Sequence, residues 1–209
     1  MIIRFRFYFL ITLSLFSFLL SKICAQTTLT ENSKHKIEFS IGYGDQQFYF
    51  LGSGVKLNVD YSYEILFAQF QYMYSLLNNN SLELSLLLQS EYGVTYYKPS
   101  KSIQVELRSH EIGFSAGTIL SFSIINDFFY AYLLISAGPH YSKKTPDRQI
   151  SGFMFNSNAN VGINIYMQSN LLFDLRTGFR HLSNANLELP NRGINNLIIS
   201  IGLIYHLGS

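Results

Sequence analysis

The chain has 209 residues, a formal net charge of +2 and one cysteine. Charged residues make up only 13% of it, against about 25% in an ordinary water-soluble domain, while Phe (18) and Tyr (15) are abundant and Trp is absent. So weak and dispersed a charge argues against a nucleic-acid partner, and a lone thiol excludes a disulfide framework or a cysteine-ligated metal site.

The first element is MIIRFRFYFLITLSLFSFLLSKICAQ, in which Arg4 and Arg6 precede an apolar run from Phe7 to Leu20. This reads as a secretory signal peptide cleaved after Ala25; the run is shorter than the ~20 apolar residues of a membrane-spanning anchor. Cys24 leaves with the signal, and Ser21-Lys22-Ile23 before it lacks the small residue expected ahead of a lipid-modified cysteine. Residues 26–209 are then one exported domain.

Beyond the signal no apolar run is long enough for a membrane helix, and the dominant pattern is alternation. In the first stretch, 36–44, Ile37, Phe39, Ile41 and Tyr43 alternate with Glu38, Ser40, Gly42 and Gly44. In 57–75 the phase switches near Glu64-Ile65: Val55, Leu57, Val59, Tyr61 and Tyr63 share one parity, and Leu66, Phe70, Tyr72 and Tyr74 the other. A β-bulge or bend is expected there. Further strands are expected over 82–97, 110–124, 128–141, 152–167, 171–183 and 195–206, separated by polar breaks such as Asn78-Asn79-Asn80, Asn126-Asp127 and Gln168-Ser169-Asn170. In 153–165, Phe153, Phe155, Val161, Ile163 and Ile165 oppose Asn156, Asn158, Asn160, Gly162 and Asn164.

A low-charge, aromatic-rich chain with one oily and one amide-rich face on each strand fits an all-β, eight-stranded antiparallel transmembrane β-barrel, apolar side chains outward and polar ones in the lumen. So few strands leave an interior filled by side chains, which disfavours a porin. Glu38, Glu64, Glu83, Glu91, Glu111, Asp174, Arg176 and Arg180 are expected to form a paired lumen network. With a periplasmic start, the connections after the fifth and seventh strands are extracellular. The former carries Lys143, Lys144 and Arg148, a candidate attractor of lipid phosphates. His110 and Glu111 are neighbours on one strand and so point to opposite faces, and His35, His140 and His206 show no metal-ligand spacing with Cys, Asp or Glu.

The seventh strand ends in GFRHLSNANLELPNRGIN, residues 178–195. By period two, His181 and Ser183 face outward with Phe179, Asp174, Arg176 and Arg180 face the lumen, and Asn195 on the eighth strand meets His181 across the hairpin. A serine hydroxyl needs a base, and the base an orienting group; Ser183, His181 and Asn195 supply that set. From the residues alone, the favoured reading is a histidine and a serine sitting idle among headgroups, above the hydrocarbon.

His181-Leu182-Ser183-Asn184-Ala185 followed by Pro190-Asn191-Arg192-Gly193-Ile194 resembles the H-x-S-N-A…P-N-x-G-I signature of the PagL family, outer-membrane lipid A 3-O-deacylases. The resemblance implies an outer-membrane barrel that hydrolyses the ester-linked 3-hydroxyacyl chain of lipid A in the outer leaflet with no metal or cofactor. It implies His181 as general base, Ser183 as nucleophile and Asn184 as oxyanion donor. Two positions depart from the family: Asn195 stands in place of glutamate, and Asn186 in place of glycine. Asn195 is the expected orienter of His181, with Glu188 in the loop as the alternative acid. The rival expectation is a non-catalytic barrel with a structural or adhesion role.

Overall fold

A computed structural model describes residues 33–50, 53–57, 61–79, 81–99, 105–125, 128–168 and 170–208. The export signal expected over 1–25 lies outside them. The described strands are β1 (His35–Asp45), β2 (Gln47–Phe50), β3 (Ser53–Lys56), β4 (Tyr63–Asn78), β5 (Leu82–Tyr97), β6 (Leu107–Ile125), β7 (Phe129–Ser142), β8 (Gly152–Gln168), β9 (Leu171–Ser183) and β10 (Ile194–Leu207). Eight of them close antiparallel into a barrel in the order β1-β10-β9-β8-β7-β6-β5-β4, and β2 and β3 pair as a separate hairpin. That hairpin was not anticipated from the sequence.

The strands alternate oil outward and amide inward. Phe39, Leu88, Phe114 and Ile135 are 59%, 60%, 62% and 66% exposed on the outer wall, whereas Glu38, Gln71, Glu91, Asn156, Asp174 and Arg180 are buried in the lumen. A barrel in water would reverse this, because exposed apolar area on such a scale is costly to hydrate. The arrangement is that of a transmembrane barrel whose solvent is lipid.

The lumen is filled in layers. At one end Tyr63, Tyr97, Met154, Leu182 and Ile194 form an apolar cap, and near the other Met73, Leu87, Ile119, Leu134, Leu172 and Ile204 form a second cluster. Between them lie charges. Arg180 Nη2 donates to Glu111 Oε2 at 2.9 Å and reaches Glu91 at 3.5 Å, with His140 Nε2 2.9 Å from Glu111. Arg176 bridges Glu38 and Asp174, whose Oδ1 also accepts the Tyr132 hydroxyl at 2.5 Å. Lys36 pairs with Glu83 at 2.6 Å. His140 therefore meets acidic residues that its sequence spacing did not reveal, and Arg180 shares their carboxylates.

Two expectations need correction. Glu64 is not part of the lumen network: it sits on the outward row of β4 and accepts a hydrogen bond from the outward Tyr43 hydroxyl at 2.9 Å. The phase switch near Glu64-Ile65 is not a bulge either, since β4 pairs continuously with β5 from Tyr63 to Ser75 and shifts register only between Ser75 and Leu77. Tyr63, Ile65 and Phe67 are apolar yet inward because they fill the apolar upper lumen. Residues 53–56 belong to the hairpin, and 58–60 lie outside the described residues.

Connection lengths differ between the two rims. The connections after β4, β6 and β8, at one end of the barrel, are three residues or fewer; those after β1, β5, β7 and β9, at the other, are the longer loops, the first of them carrying the β2–β3 hairpin. Short periplasmic and long external connections are the usual asymmetry of such barrels. The register fixes the tilt. Following register partners from Asn195 through His181, Ser157, Ala137, Ala116, Leu88, Tyr72 and Ile37 returns to β10 at Tyr205, ten residues lower. Each row thus spirals from the long-loop rim toward the short-turn rim.

Candidate active site

At the long-loop end of β9 and β10 the outward rows carry polar groups. His181 and Asn195 are register partners, and His181 Nδ1 lies 2.6 Å from Asn195 Oδ1. An amide oxygen only accepts, so this contact holds the proton on Nδ1 and leaves the Nε2 lone pair open. Ser183 stands two residues further along the same outward row, about 6.5 Å away along the backbone. Among the described residues no hydrogen bond joins Ser183 Oγ to His181.

The level of these groups in the barrel matters. Ser183 is the register partner of Phe155, which packs edge-on against Phe153 with ring centroids 5.1 Å apart. With Tyr141 and Tyr92, also exposed, these rings form an upper aromatic belt, the usual mark of the boundary between headgroups and hydrocarbon. His181 and Ser183 lie at the level of this belt.

Below them the outer wall is hollowed into a groove of 840 Å³ lined by Leu197, Ile199, Leu175, Thr177, Val161 and Leu133, among others. Its upper end, Leu197, is the next outward residue below Asn195. From there the row Ile199–Thr177–Val161–Leu133 descends across β10, β9, β8 and β7. The groove continues to Phe122 on β6, about 19 Å for four inter-strand spacings.

The loop over 184–193 is built by its own asparagines. Asn184 is buried; its backbone N–H donates to Asn191 Oδ1 at 3.0 Å, its Nδ2 donates to the Glu188 carbonyl at 2.8 Å, and its Oδ1 accepts the Asn186 N–H at 3.1 Å. Ala185 and Asn186 have φ of 55° and 63°. Asparagine tolerates this left-handed region better than most side chains, which accounts for Asn186 where the family has glycine. Glu188 is exposed, and the Nδ1 it would orient is already held by Asn195. Gly193 has φ of 65°, and a Cβ there would lie 2.6 Å from His181 Cε1. Only glycine satisfies both the dihedral and the space beside the imidazole.

Several residues that hold this site escaped the sequence reading. Gln149 Oε1 accepts the Gly193 N–H at 3.0 Å, and Gln149 bridges Asn191, so the loop over 143–151 is stitched to that over 184–193. Tyr61 and Gln46 bond the Asn195 backbone from the first long loop. They lie 134 and 149 residues from Asn195 in sequence, and no local pattern marks them. Of the basic residues expected to attract phosphates, Lys143 and Lys144 are exposed, while Arg148 stacks over the Tyr61 ring at 4.3 Å.

The profile of the Lipid A 3-O-deacylase (PagL) family matches residues 54–203. The chain belongs to the PagL family. That span includes β9, the loop after it and β10 as far as Leu203. Among curated proteins no sequence matches. In structure the chain is similar to the outer membrane enzyme PagL, with a TM-score of 0.57 and 17% identity over 79% of this chain and 97% of that one. Neisserial surface protein A aligns at a TM-score of 0.48 and 16% identity, over 84% and 98% of the two chains. The outer membrane protein OprG of Pseudomonas aeruginosa aligns at 0.47 and 9%, over 88% and 100%. At such identities the likeness to PagL speaks for the fold, and the family match carries the relationship.

Proposed function

We propose that this chain is an outer-membrane serine esterase that removes the ester-linked 3-hydroxyacyl chain from position 3 of lipid A. The supporting observation is an imidazole on the lipid-facing wall, held by Asn195 at 2.6 Å with Nε2 open, beside Ser183 at the level of the aromatic belt. Two polar groups on a lipid-facing surface are costly to keep unless they act on something in the lipid.

In this reading His181 Nε2 takes the Ser183 proton as Oγ attacks the acyl carbonyl, and the tetrahedral oxyanion forms. Asn184 is the proposed oxyanion donor, through the amide proton not given to the Glu188 carbonyl. Collapse expels the sugar hydroxyl, which takes the proton back from His181. Water, deprotonated by the same nitrogen, then cleaves the acyl-enzyme and releases the hydroxy fatty acid. The groove below Asn195 receives the acyl chain, so the lipid enters sideways from the leaflet.

The test is expression in a host whose lipid A is fully acylated, followed by mass spectrometry of the lipid A. Loss of one hydroxyacyl chain is expected. Unchanged lipid A alongside a folded barrel overturns the reading and favours the structural or adhesion role.

Two further outcomes follow from the same geometry. Asn195→Glu offers His181 a carboxylate on a side chain one methylene longer, and a charge-assisted bond to the developing imidazolium is about twice as strong as a neutral one. Deacylation should accelerate about tenfold; a slower enzyme would show that the amide is the adapted orienter. Val161→Trp fills the middle of the groove, and the specificity constant for long hydroxyacyl substrates should fall about tenfold with short ones unaffected. Equal rates on both chain lengths would place the acyl chain elsewhere.

A further inference from the structure

Asn195 lies beyond the end of the β1–β10 ladder, whose last pair is Asp45 with Leu197. On that side its backbone has no strand to bond, and a strand end so exposed should fray. Side chains from the first long loop take the place of the missing strand. The Asn195 N–H donates to the Tyr61 hydroxyl at 2.6 Å, the Tyr61 hydroxyl lies 3.3 Å from the Asn195 carbonyl, and Gln46 Nε2 donates to that carbonyl at 3.2 Å. Gln46 is fixed by exchanging bonds with the Tyr63 backbone at 2.7 and 2.8 Å.

The other side of Tyr61 is fixed too. The Arg148 guanidinium covers its ring at 4.3 Å and donates to the Arg192 carbonyl at 2.9 Å, while the Arg192 N–H donates to the Arg148 carbonyl at 3.1 Å. A tyrosine from the first long loop is thus held between the third loop and the first residues of β10. Its hydroxyl is one residue's backbone away from the amide that orients His181.

We infer that Tyr61 is a positioning residue for His181: it replaces the absent ladder partner of Asn195 and so aims Asn195 Oδ1 at His181 Nδ1. This rests on the reading of His181 as the base. The requirement is sharper here than it would be with a carboxylate orienter. An amide offers one accepting atom and one donating nitrogen, and a turn about its side chain would present the donor to the imidazole and favour the wrong tautomer. A carboxylate accepts through either oxygen and tolerates such a turn. The clamp on the backbone and the asparagine at 195 are therefore two parts of one device.

Tyr61→Phe keeps the ring under Arg148 and removes only the hydroxyl. The full chain, refolded in detergent micelles with lipid A as substrate, should show kcat reduced about tenfold with KM unchanged. In protein labelled with ¹⁵N-histidine, the His181 signal, assigned by its absence in His181→Ala, should pass from the Nδ1-protonated tautomer to a mixture. Tyr61→Phe with Asn195→Glu should recover most of the lost rate, since a carboxylate tolerates the rotation; no recovery overturns the inference. With an active wild type, kcat within twofold of it or an unchanged His181 spectrum overturns the inference. A wild type that leaves lipid A intact overturns the deacylase reading instead, and the imidazole spectrum alone then decides whether Tyr61 sets the tautomer.

Discussion

Ser183→Ala and His181→Ala are each expected to lower lipid A deacylation by roughly 10⁴-fold or more, with the barrel still folded. Without Oγ no acyl-enzyme forms, and without Nε2 nothing takes the Ser183 proton at neutral pH. Because the two act as one unit, the double variant should be no slower than either single one, and a multiplied loss would mean that they act separately. What remains comes from the oxyanion donor and from holding the ester in the groove. Mass spectrometry of lipid A from expressing cells reads the loss directly. The shift in electrophoretic mobility between heated and unheated samples reports that the barrel has formed. Full activity in Ser183→Ala would remove the nucleophile from this site and leave His181 to activate water. This variant is more informative than the histidine one, since only His181 has its partner already in place.

The barrel was legible because alternation survives wherever one face meets lipid. The strand expected over 171–183 is β9 (Leu171–Ser183), and its outward row puts His181 opposite Asn195 by period two and hairpin register alone. Alternation misled where the lumen itself is apolar. Tyr63, Ile65 and Phe67 face inward against Ile198 and Met154, so hydrophobicity there no longer distinguishes inside from outside and the parity seemed to slip. Glu64 was assigned inward on the same logic, a charge being taken for a lumen group, although its partner is the outward Tyr43. The supports of the site were illegible for another reason. Tyr61, Gln46 and Gln149 reach it from other loops, and which loop folds over which strand end is decided by closure of the ring, not by any local pattern. The Asn186 departure shows the converse case, in which the structure supplies a reason the sequence lacked: φ of 63° at that position is one that asparagine tolerates better than most side chains.

Arg180→Met should destabilise the barrel by about 3–5 kcal/mol, because it leaves Glu111 and Glu91 buried without the cation they share. Arg180 and Glu111 side chains are 1% and 0% exposed, so no rim water compensates. Methionine fills similar volume, which separates lost charge from lost packing. The cost should shrink when Glu111→Gln is added, since the double variant removes most of the uncompensated charge; the two substitutions should couple by about 1–3 kcal/mol. The chain has no Trp, so urea unfolding from phospholipid vesicles is best followed by far-ultraviolet circular dichroism. An unfolding midpoint equal to wild type in Arg180→Met would mean that the lumen charges are screened by water rather than by one another. The position matters for the site as well as for stability. Arg180 and His181 are consecutive on β9 and face opposite sides of the wall, and Arg180 Nη1 reaches Asn196, the residue after Asn195, at 3.4 Å. Asn196 Nδ2 donates to the Tyr63 carbonyl at 2.6 Å. The inner layer thus grips the same two strand ends whose outer layer carries the imidazole and its amide, so a loosened lumen should also lower the deacylation rate.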